Sequence, residues 1–117
     1  MHQNKICGML GICRKAGKLV AGTDLVVEAI RSRKNTVQLV LLSADASENT
    51  VKKVRNCCKH YGKTLLILND DGEQIARTIG KTGVISTCAI CDSGLAKALM
   101  ALITTNNESE EQREENG

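Results

Sequence analysis

The sequence predicts an α/β protein: a three-layer α/β/α sandwich with a small central mixed sheet. Amphipathic helical segments alternate with short aliphatic runs in the order αα-β-α-β-α-β-α, and glycines or N-capping residues stand at many of the junctions. The 117 residues, of which 42% are hydrophobic, suffice for one modest core. We therefore expect a single domain over residues 1–103, without internal repeats.

The first two helices are predicted from apolar residues at helical spacing. Residues 3–15 carry them on one face and are followed by Gly17, a residue typical of a helix end. A second helix is predicted over about 24–33, with Thr23 or Asp24 as its N-cap. The segment between these helices is interpreted as a loop.

Strands and helices alternate through the rest of the chain. Val37 to Leu42 is a continuous aliphatic run, which is typical of a strand covered on both faces. Ser47 is the predicted N-cap of a helix that runs through Tyr61 and ends at Gly62. The remaining predicted elements are a buried strand over 64–68, a short helix over 72–79 capped by Asp71, a strand over 83–90 and a last helix from its cap at Asp92 to Ile103.

Charge is divided unevenly along the chain. Residues 1–103 hold 15 Lys+Arg and 8 Asp+Glu, a net charge of +7, whereas residues 104–117 hold one arginine and five glutamates, a net charge of −4. The C-terminal segment has no apolar residue whose burial could offset the entropy of ordering it. We expect a basic domain followed by a disordered acidic tail over 104–117.

The sequence gives little support to enzymatic or membrane functions. No apolar run approaches the roughly 18 residues of a membrane span and no signal-peptide core is visible, so we expect a cytoplasmic protein without a membrane partner. The two histidines, His2 and His60, have no recognisable nucleophile partner, and no catalytic residue is assigned. Gly80-Lys81-Thr82 is similar to the end of a phosphate-binding loop, but Ile75 occupies the position of that motif's first glycine.

The cysteines are interpreted as reduced thiols that pack as small hydrophobes. Cys88 and Cys91 have the spacing of half a zinc site, yet positions three apart in a strand point to opposite faces. A metal cluster would require several elements to converge on the other cysteines. No metal and no cofactor are therefore assigned to the six cysteines, Cys7, Cys13, Cys57, Cys58, Cys88 and Cys91.

The segment from Lys15 to Asp24 is the strongest indication of function. It places Lys15, Lys18 and Gly22 directly before the second helix, with Thr23 at the junction. Amides in the first turn of a helix lack intrahelical partners and attract phosphate, and a glycine there permits close approach. Nucleic acid is therefore the predicted partner, although the segment could also be only a loop between helices. Because the chain has a single aromatic residue, recognition would use backbone, charge and shape.

A set of residues spread from Met9 to Ile103 resembles the pattern of a known family. The set comprises Leu10-Gly11, Arg14 to Lys18, Gly22, Ala29 to Arg31, Leu39 to Ser47, Asn49-Thr50 with Lys52-Lys53, and Ile79 to Lys81. These residues resemble the kink-turn RNA-binding family of ribosomal proteins L7Ae and L30e, and within it the small bacterial YlxQ-type members. The resemblance implies an α/β/α sandwich and a non-enzymatic role in binding a sharply bent RNA with tandem sheared G·A pairs.

The resemblance also implies a first contact element at the start of the second helix. By position, the family motif Gly-x-Asn-Glu-x-x-Lys falls on Gly22, Thr23, Asp24, Leu25 and Glu28. Asp24 can accept hydrogen bonds from base amino groups but cannot donate as asparagine does, and Leu25 can only pack. Glu28 places a negative charge where the family has a positive one, so we expect it to weaken phosphate contact.

The second element that the resemblance implies is the loop before the final strand, at Lys81, Thr82 and Gly83. This loop is polar, which favours a phosphate contact through Lys81, although its glycine also suits an ordinary turn. Two functions remain open. The first is a monomeric RNA-binding protein that stabilises a bent ribosomal or regulatory RNA. The second is a protein-interaction module on the same fold, in which Leu25 and Glu28 mark weakened RNA readout.

Overall fold

Helices and strands alternate along the chain in a computed structural model, which describes the backbone of residues 2–34 and 36–116 and the side chains of residues 5–34 and 36–104. The described elements are α1 (His2–Lys15), β1 (Leu19–Ala21), α2 (Thr23–Arg31), β2 (Leu39–Leu42), α3 (Glu48–Tyr61), β3 (Leu65–Ile67), α4 (Gly72–Thr78), β4 (Thr87–Ile90) and α5 (Ser93–Asn116).

The four strands form one mixed sheet in the order β1-β4-β2-β3. Strand β4 is antiparallel to both of its neighbours, and β2 is parallel to β3. The central strands β2 and β4 are buried at every position, and for β2 the aliphatic run at residues 37–42 predicts this. Strand β3 is an edge strand and leaves Ile67 exposed, so the prediction of a buried strand over 64–68 is wrong.

Side chains alternate across the sheet and divide the core into two halves. Leu39 and Leu41 of β2 pack with apolar residues of α1, α4 and α5. Val40 and Leu42 point the other way and pack with α2 and α3. This alternation is the period of two that a strand imposes on its side chains. The predicted three-layer α/β/α sandwich with a central mixed sheet is confirmed.

Two further predictions about strands are wrong. The segment interpreted as a loop between the first two helices contains β1, whose three residues pair with β4 from Leu19↔Ile90 to Ala21↔Cys88. So short a run is stabilised by its partner strand and not by local preference, because β-propensity depends on context. The strand predicted over 83–90 begins only at Thr87, since the residues before it form a loop.

The predicted N-caps of α3, α4 and α5 are confirmed. The side chains of Ser47, Asp71 and Asp92 accept hydrogen bonds from backbone N–H groups three residues ahead. Gly62 ends α3 in a left-handed conformation at φ 66°. Helix α5 continues to Asn116, but the side chains beyond residue 104 lie outside the described residues, so the disordered acidic tail stays a prediction.

The cysteine side chains pack as the sequence predicts. Cys88 belongs to one half of the core and Cys91 borders the other, so the two thiols lie on opposite faces of the sheet. Burial raises the pKa of the Cys58 thiol to about 11 and that of Cys88 to about 12. Both thiols are therefore protonated at neutral pH and pack as small apolar groups. None of the helices described is long and apolar enough to cross a membrane.

Candidate nucleic-acid interface

The start of α2 lies against the start of β4. The backbone N–H of Gly22 donates to the carbonyl oxygen of Thr87 over 2.9 Å. The hydroxyls of Thr23 and Thr87 form a second hydrogen bond of 2.8 Å. These contacts bring the first turn of α2 beside the loop that leads into β4. The loop of the second predicted contact element, more than fifty residues away in sequence, therefore ends beside the first contact element.

Gly22 is the N-cap of α2, so the predicted cap at Thr23 or Asp24 is wrong. The hydroxyl of Thr23 bonds to Thr87 and not to its own helix, and no side chain caps α2. Gly22 adopts φ 110° and ψ 135°, a conformation that residues with a Cβ rarely adopt. A Cβ at Gly22 would have space, since its nearest neighbour would be Leu25 at 3.9 Å. The backbone conformation therefore requires glycine here.

Exposed apolar side chains stand on both contact elements. Leu25 on α2 is 57% exposed, and Val84 in the loop before β4 is 63% exposed. Lys81, Thr82 and Gly83, which precede Val84, are exposed as well. The polar loop of the prediction thus ends in an apolar residue that was missed, because Val84 fits the strand predicted over 83–90. Its β-branched side chain directly after Lys81, Thr82 and Gly83 is the signal that could have identified it.

The loop before β4 is anchored on the first residue of α4. The N–H of Ile85 donates to the carbonyl of Gly72 over 2.9 Å, and the N–H of Gly72 donates to Asp45 Oδ1 over 2.9 Å. This second bond lowers the pKa of the Asp45 carboxyl. A Cβ at Gly72 would overlap the Val84 side chain and lie 3.2 Å from the oxygen of Ile85. Glycine at this position lets the loop lie close to α4.

We expect Gly72→Ala to displace this loop and to destabilise the fold by about 1–3 kcal/mol, the usual cost of overpacking. Hydrogen exchange at residues 80–86 and thermal unfolding would measure both effects. Gly8→Ala is the matched control, because a Cβ at Gly8 of α1 would meet nothing within 4 Å. The prediction is contradicted if the two variants are equally stable and the loop amides exchange as in the unmodified protein.

Lys18 lies at the opposite end of β1 from the start of α2. Lys18 precedes β1, and its carbonyl accepts a hydrogen bond from Cys91 just beyond β4, whereas Gly22 bonds to Thr87 at the start of β4. Four residues of extended chain from Lys18 to Gly22 span about 13 Å. Lys15 lies at the end of α1, in the turn that leads into β1. Strand β1, which was not predicted, therefore separates Lys18 from the start of α2, and Lys15 precedes Lys18 at the end of α1.

Arg14 is a basic residue that was missed as a candidate. A Cβ at Gly80 would lie 3.6 Å from Arg14 Nη1, so the guanidinium lies against the turn that follows α4. Lys81, the next residue, is held in this turn by a hydrogen bond of 2.8 Å from its N–H to the carbonyl of Ala76. The position of Arg14 in the last turn of a helix before Lys15 gives no indication of this long-range contact.

Asp24 and Glu28 face a groove of about 1050 Å³ between α2 and α3. Lys53 of α3 lies 2.8 Å from Asp24 Oδ1, and its hydrogen bond and charge lower the pKa of the Asp24 carboxyl. Glu28 is exposed and also lines a smaller groove of about 580 Å³ beside Leu25. The larger groove is lined by Asp24, Val27, Glu28, Arg31, Lys53, Asn56, Cys57, His60 and Tyr61.

The fold and this arrangement define a class: small α/β/α proteins in which a helix with a glycine N-cap lies beside a loop. The chain belongs to the Ribosomal protein L7Ae/L30e/S12e/Gadd45 family, which it matches over residues 4–100. It is 38% identical over 95 residues to "RNA-binding protein YlxQ" of Bacillus subtilis (strain 168), covering 81% of this chain and 91% of that protein. It is 34% identical over 102 residues to "RNA-binding protein YlxQ" of Enterococcus faecium, covering 87% and 94%. Membership of this family and the names of these two relatives indicate a non-enzymatic protein.

Solved structures share the architecture. A protein of unknown function from Bacillus halodurans C superimposes with a TM-score of 0.77 at 31% identity, covering 86% of this chain and 97% of that one. The Giardia lamblia 15.5kD RNA binding protein superimposes with a TM-score of 0.71 at 11% identity, covering 89% and 86%. The second likeness concerns the fold alone. Together they agree with the mixed sheet and the two helical layers described above.

Proposed function

We propose that the protein is a non-catalytic RNA-binding protein that recognises a sharply bent, structured RNA of the kink-turn type, and that it acts as a monomer in the cytoplasm. The contact between Thr23 and Thr87 carries the proposal, because it holds the start of α2 against the first residue of β4, where the loop before this strand ends. We treat the start of α2 and this loop as one joined surface. Membership of a ribosomal-protein family and two relatives named as RNA-binding proteins support RNA as the ligand.

The joined surface offers three kinds of contact to RNA. The glycine-started first turn of α2 presents backbone N–H groups to an approaching strand, since no side chain caps it. Leu25 and Val84 offer exposed apolar surface to an unstacked base or a sugar. Lys81 is exposed and offers a phosphate contact. Binding energy directed at the bent RNA would shift its population toward that form, and no chemical step is required.

A second candidate function is a protein-interaction module on the same fold. Two observations favour it: Leu25 is largely exposed, and Glu28 places a negative charge beside it. A carboxylate at this position repels phosphate, whereas an apolar residue with a charged neighbour suits the edge of a protein interface. On this function, the basic face of the domain would be a docking surface for a partner protein instead of RNA.

Titration against two RNA duplexes tests the proposal. One duplex contains a three-nucleotide bulge followed by tandem G·A pairs, and in the other Watson–Crick pairs replace the G·A pairs. At a fixed salt concentration, we expect tight binding to the first duplex and weak binding to the second. Equal, weak binding to both would reject kink-turn recognition, leave only attraction to the basic surface, and make the interaction module the better explanation.

We expect Lys81→Glu to weaken binding of the bent RNA by about tenfold or more and to reduce the salt slope by roughly 0.7–0.9, because a phosphate contact is lost and a repulsive charge is added. Lys18→Glu makes the same charge change at the far end of β1, about 13 Å from Gly22. This distance exceeds the roughly 10 Å over which charges act in 0.1 M salt, so Lys18→Glu should weaken binding less. Affinities over a salt series measure both effects. An equal or larger effect at Lys18 would contradict this placement of the RNA.

A further inference from the structure

Lys53 brings a positive charge from α3 to the first turn of α2. Its Nζ atom lies 2.8 Å from Asp24 Oδ1, although the two residues are 29 positions apart in sequence. The other ion pair among the described side chains, Arg77 with Glu73, lies within a single helix. Within that part of the chain, Lys53 and Asp24 are therefore the ion pair that joins two elements.

Fold stability does not account for this pair. The side chains of Lys53 and Asp24 are 53% and 89% exposed, and exposed ion pairs contribute little to stability. Helices α2 and α3 are held together by buried apolar residues, among them Val27, Ile30 and Val54. The main consequence of the pair is therefore where it places charge on the surface.

The pair changes the local charge that an RNA strand would encounter at the start of α2. A carboxylate at Asp24 without a cation would repel phosphate, whereas a lysine 2.8 Å away offsets that charge locally. A lysine ammonium carries three N–H donors, and a bond to one carboxylate oxygen leaves donors for a second acceptor. Because Lys53 is half-exposed, a phosphate oxygen can reach those donors.

We propose that Lys53 is an RNA-binding residue that contacts a phosphate of the strand bound at α2, and that Asp24 is the positioning residue that holds it there. The inference rests on the proposed function and adds a contact from α3 to it. Helix α3 carries three further lysine or arginine residues, but of the four only Lys53 lines the described groove between α2 and α3. The others are Lys52, Arg55 and Lys59.

Affinity for the bulged G·A duplex, measured over a salt series, tests the contact. We expect Lys53→Ala to weaken binding by about tenfold, since hydrogen bonds to charged groups are the stronger ones, and to reduce the salt slope by roughly 0.7–0.9. Lys59→Ala removes the same charge from the same helix and should change affinity by about twofold or less. Lys53→Arg should retain most of the affinity. Equal losses in the two alanine variants, or no loss in Lys53→Ala, would overturn the contact.

A double-mutant cycle tests the role of Asp24. If Asp24 positions Lys53, the change in affinity caused by Asp24→Ala will differ by about threefold or more between the wild-type and Lys53→Ala backgrounds. If the two substitutions act independently, the positioning role is overturned. Thermal unfolding of each variant, which we expect to match the wild type closely because both side chains are exposed, separates lost contact from lost fold.

The same titrations distinguish the two levels of the proposal. If the wild-type protein fails to prefer the bulged G·A duplex over its Watson–Crick control, the proposed function fails, and the phosphate contact of Lys53 fails with it. If the wild type shows the preference and Lys53→Ala binds like the wild type, only the inference about Lys53 fails. Loss of affinity confined to Lys53→Ala supports both.

Discussion

Gly22→Ala is expected to destabilise the protein by about 1–3 kcal/mol, the usual cost of holding a side chain in a strained backbone conformation. The reason is the φ of 110° at this position and not lack of space. Relief of that strain would rotate the start of α2 away from Thr87, to which the N–H of Gly22 is bonded. The folded variant should therefore also lose affinity for the bent RNA by about tenfold or more.

Gly17→Ala is the control that separates these two effects. Gly17 also has a positive φ, 70°, and a Cβ there would meet nothing within 4 Å. It lies in the turn before β1, across that strand from the start of α2. Both variants should unfold at lower temperatures, but at a temperature where both are folded only Gly22→Ala should bind RNA weakly. Normal RNA affinity in folded Gly22→Ala would mean that α2 does not contact the RNA as proposed.

Local signals were sufficient to predict most helix ends. Three helices are capped by a side chain that bonds to the N–H only three residues ahead, at Ser47, Asp71 and Asp92. Gly62 ends α3 through its own backbone conformation. The alternation of helices with aliphatic runs was likewise sufficient for the three-layer architecture. These features depend on neighbours along the chain and on the pattern of apolar residues, and both can be identified directly in the sequence.

Features that depend on distant partners could not be predicted. Strand β1 exists because β4 pairs with it, and its three extended residues carry Lys18 away from Gly22. Interpreted as a loop, the segment from Lys15 to Asp24 would form one basic site. Because residues 19–21 form a strand, Lys18 and Gly22 instead lie at opposite ends of β1. The ion pair between Lys53 and Asp24 is equally invisible, since it depends on how α3 packs on α2.

Glu28→Lys is expected to strengthen binding of the bent RNA by about tenfold or more and to steepen the salt dependence. Glu28 is exposed and lines both grooves beside α2, so its carboxylate repels phosphates that approach the helix from either side. Lysine and glutamate have similar helix propensities, so the substitution should leave the stability of α2 nearly unchanged. Isothermal titration at several salt concentrations would measure the change.

Two variants that each raise the net charge by one unit make this experiment specific. Glu28→Gln removes the carboxylate from α2, and Gln38→Lys adds a lysine beyond the opposite end of β4, where the N–H of Gln38 donates to Ile90. If the repulsion is local, Glu28→Gln will strengthen binding by several-fold, and Gln38→Lys, being screened by salt, will not. Equal gains would mean that only net charge matters. If Glu28→Lys had no effect on a wild-type protein that binds the RNA tightly, α2 would lie away from the phosphates, and the placement of the RNA on this helix would be wrong.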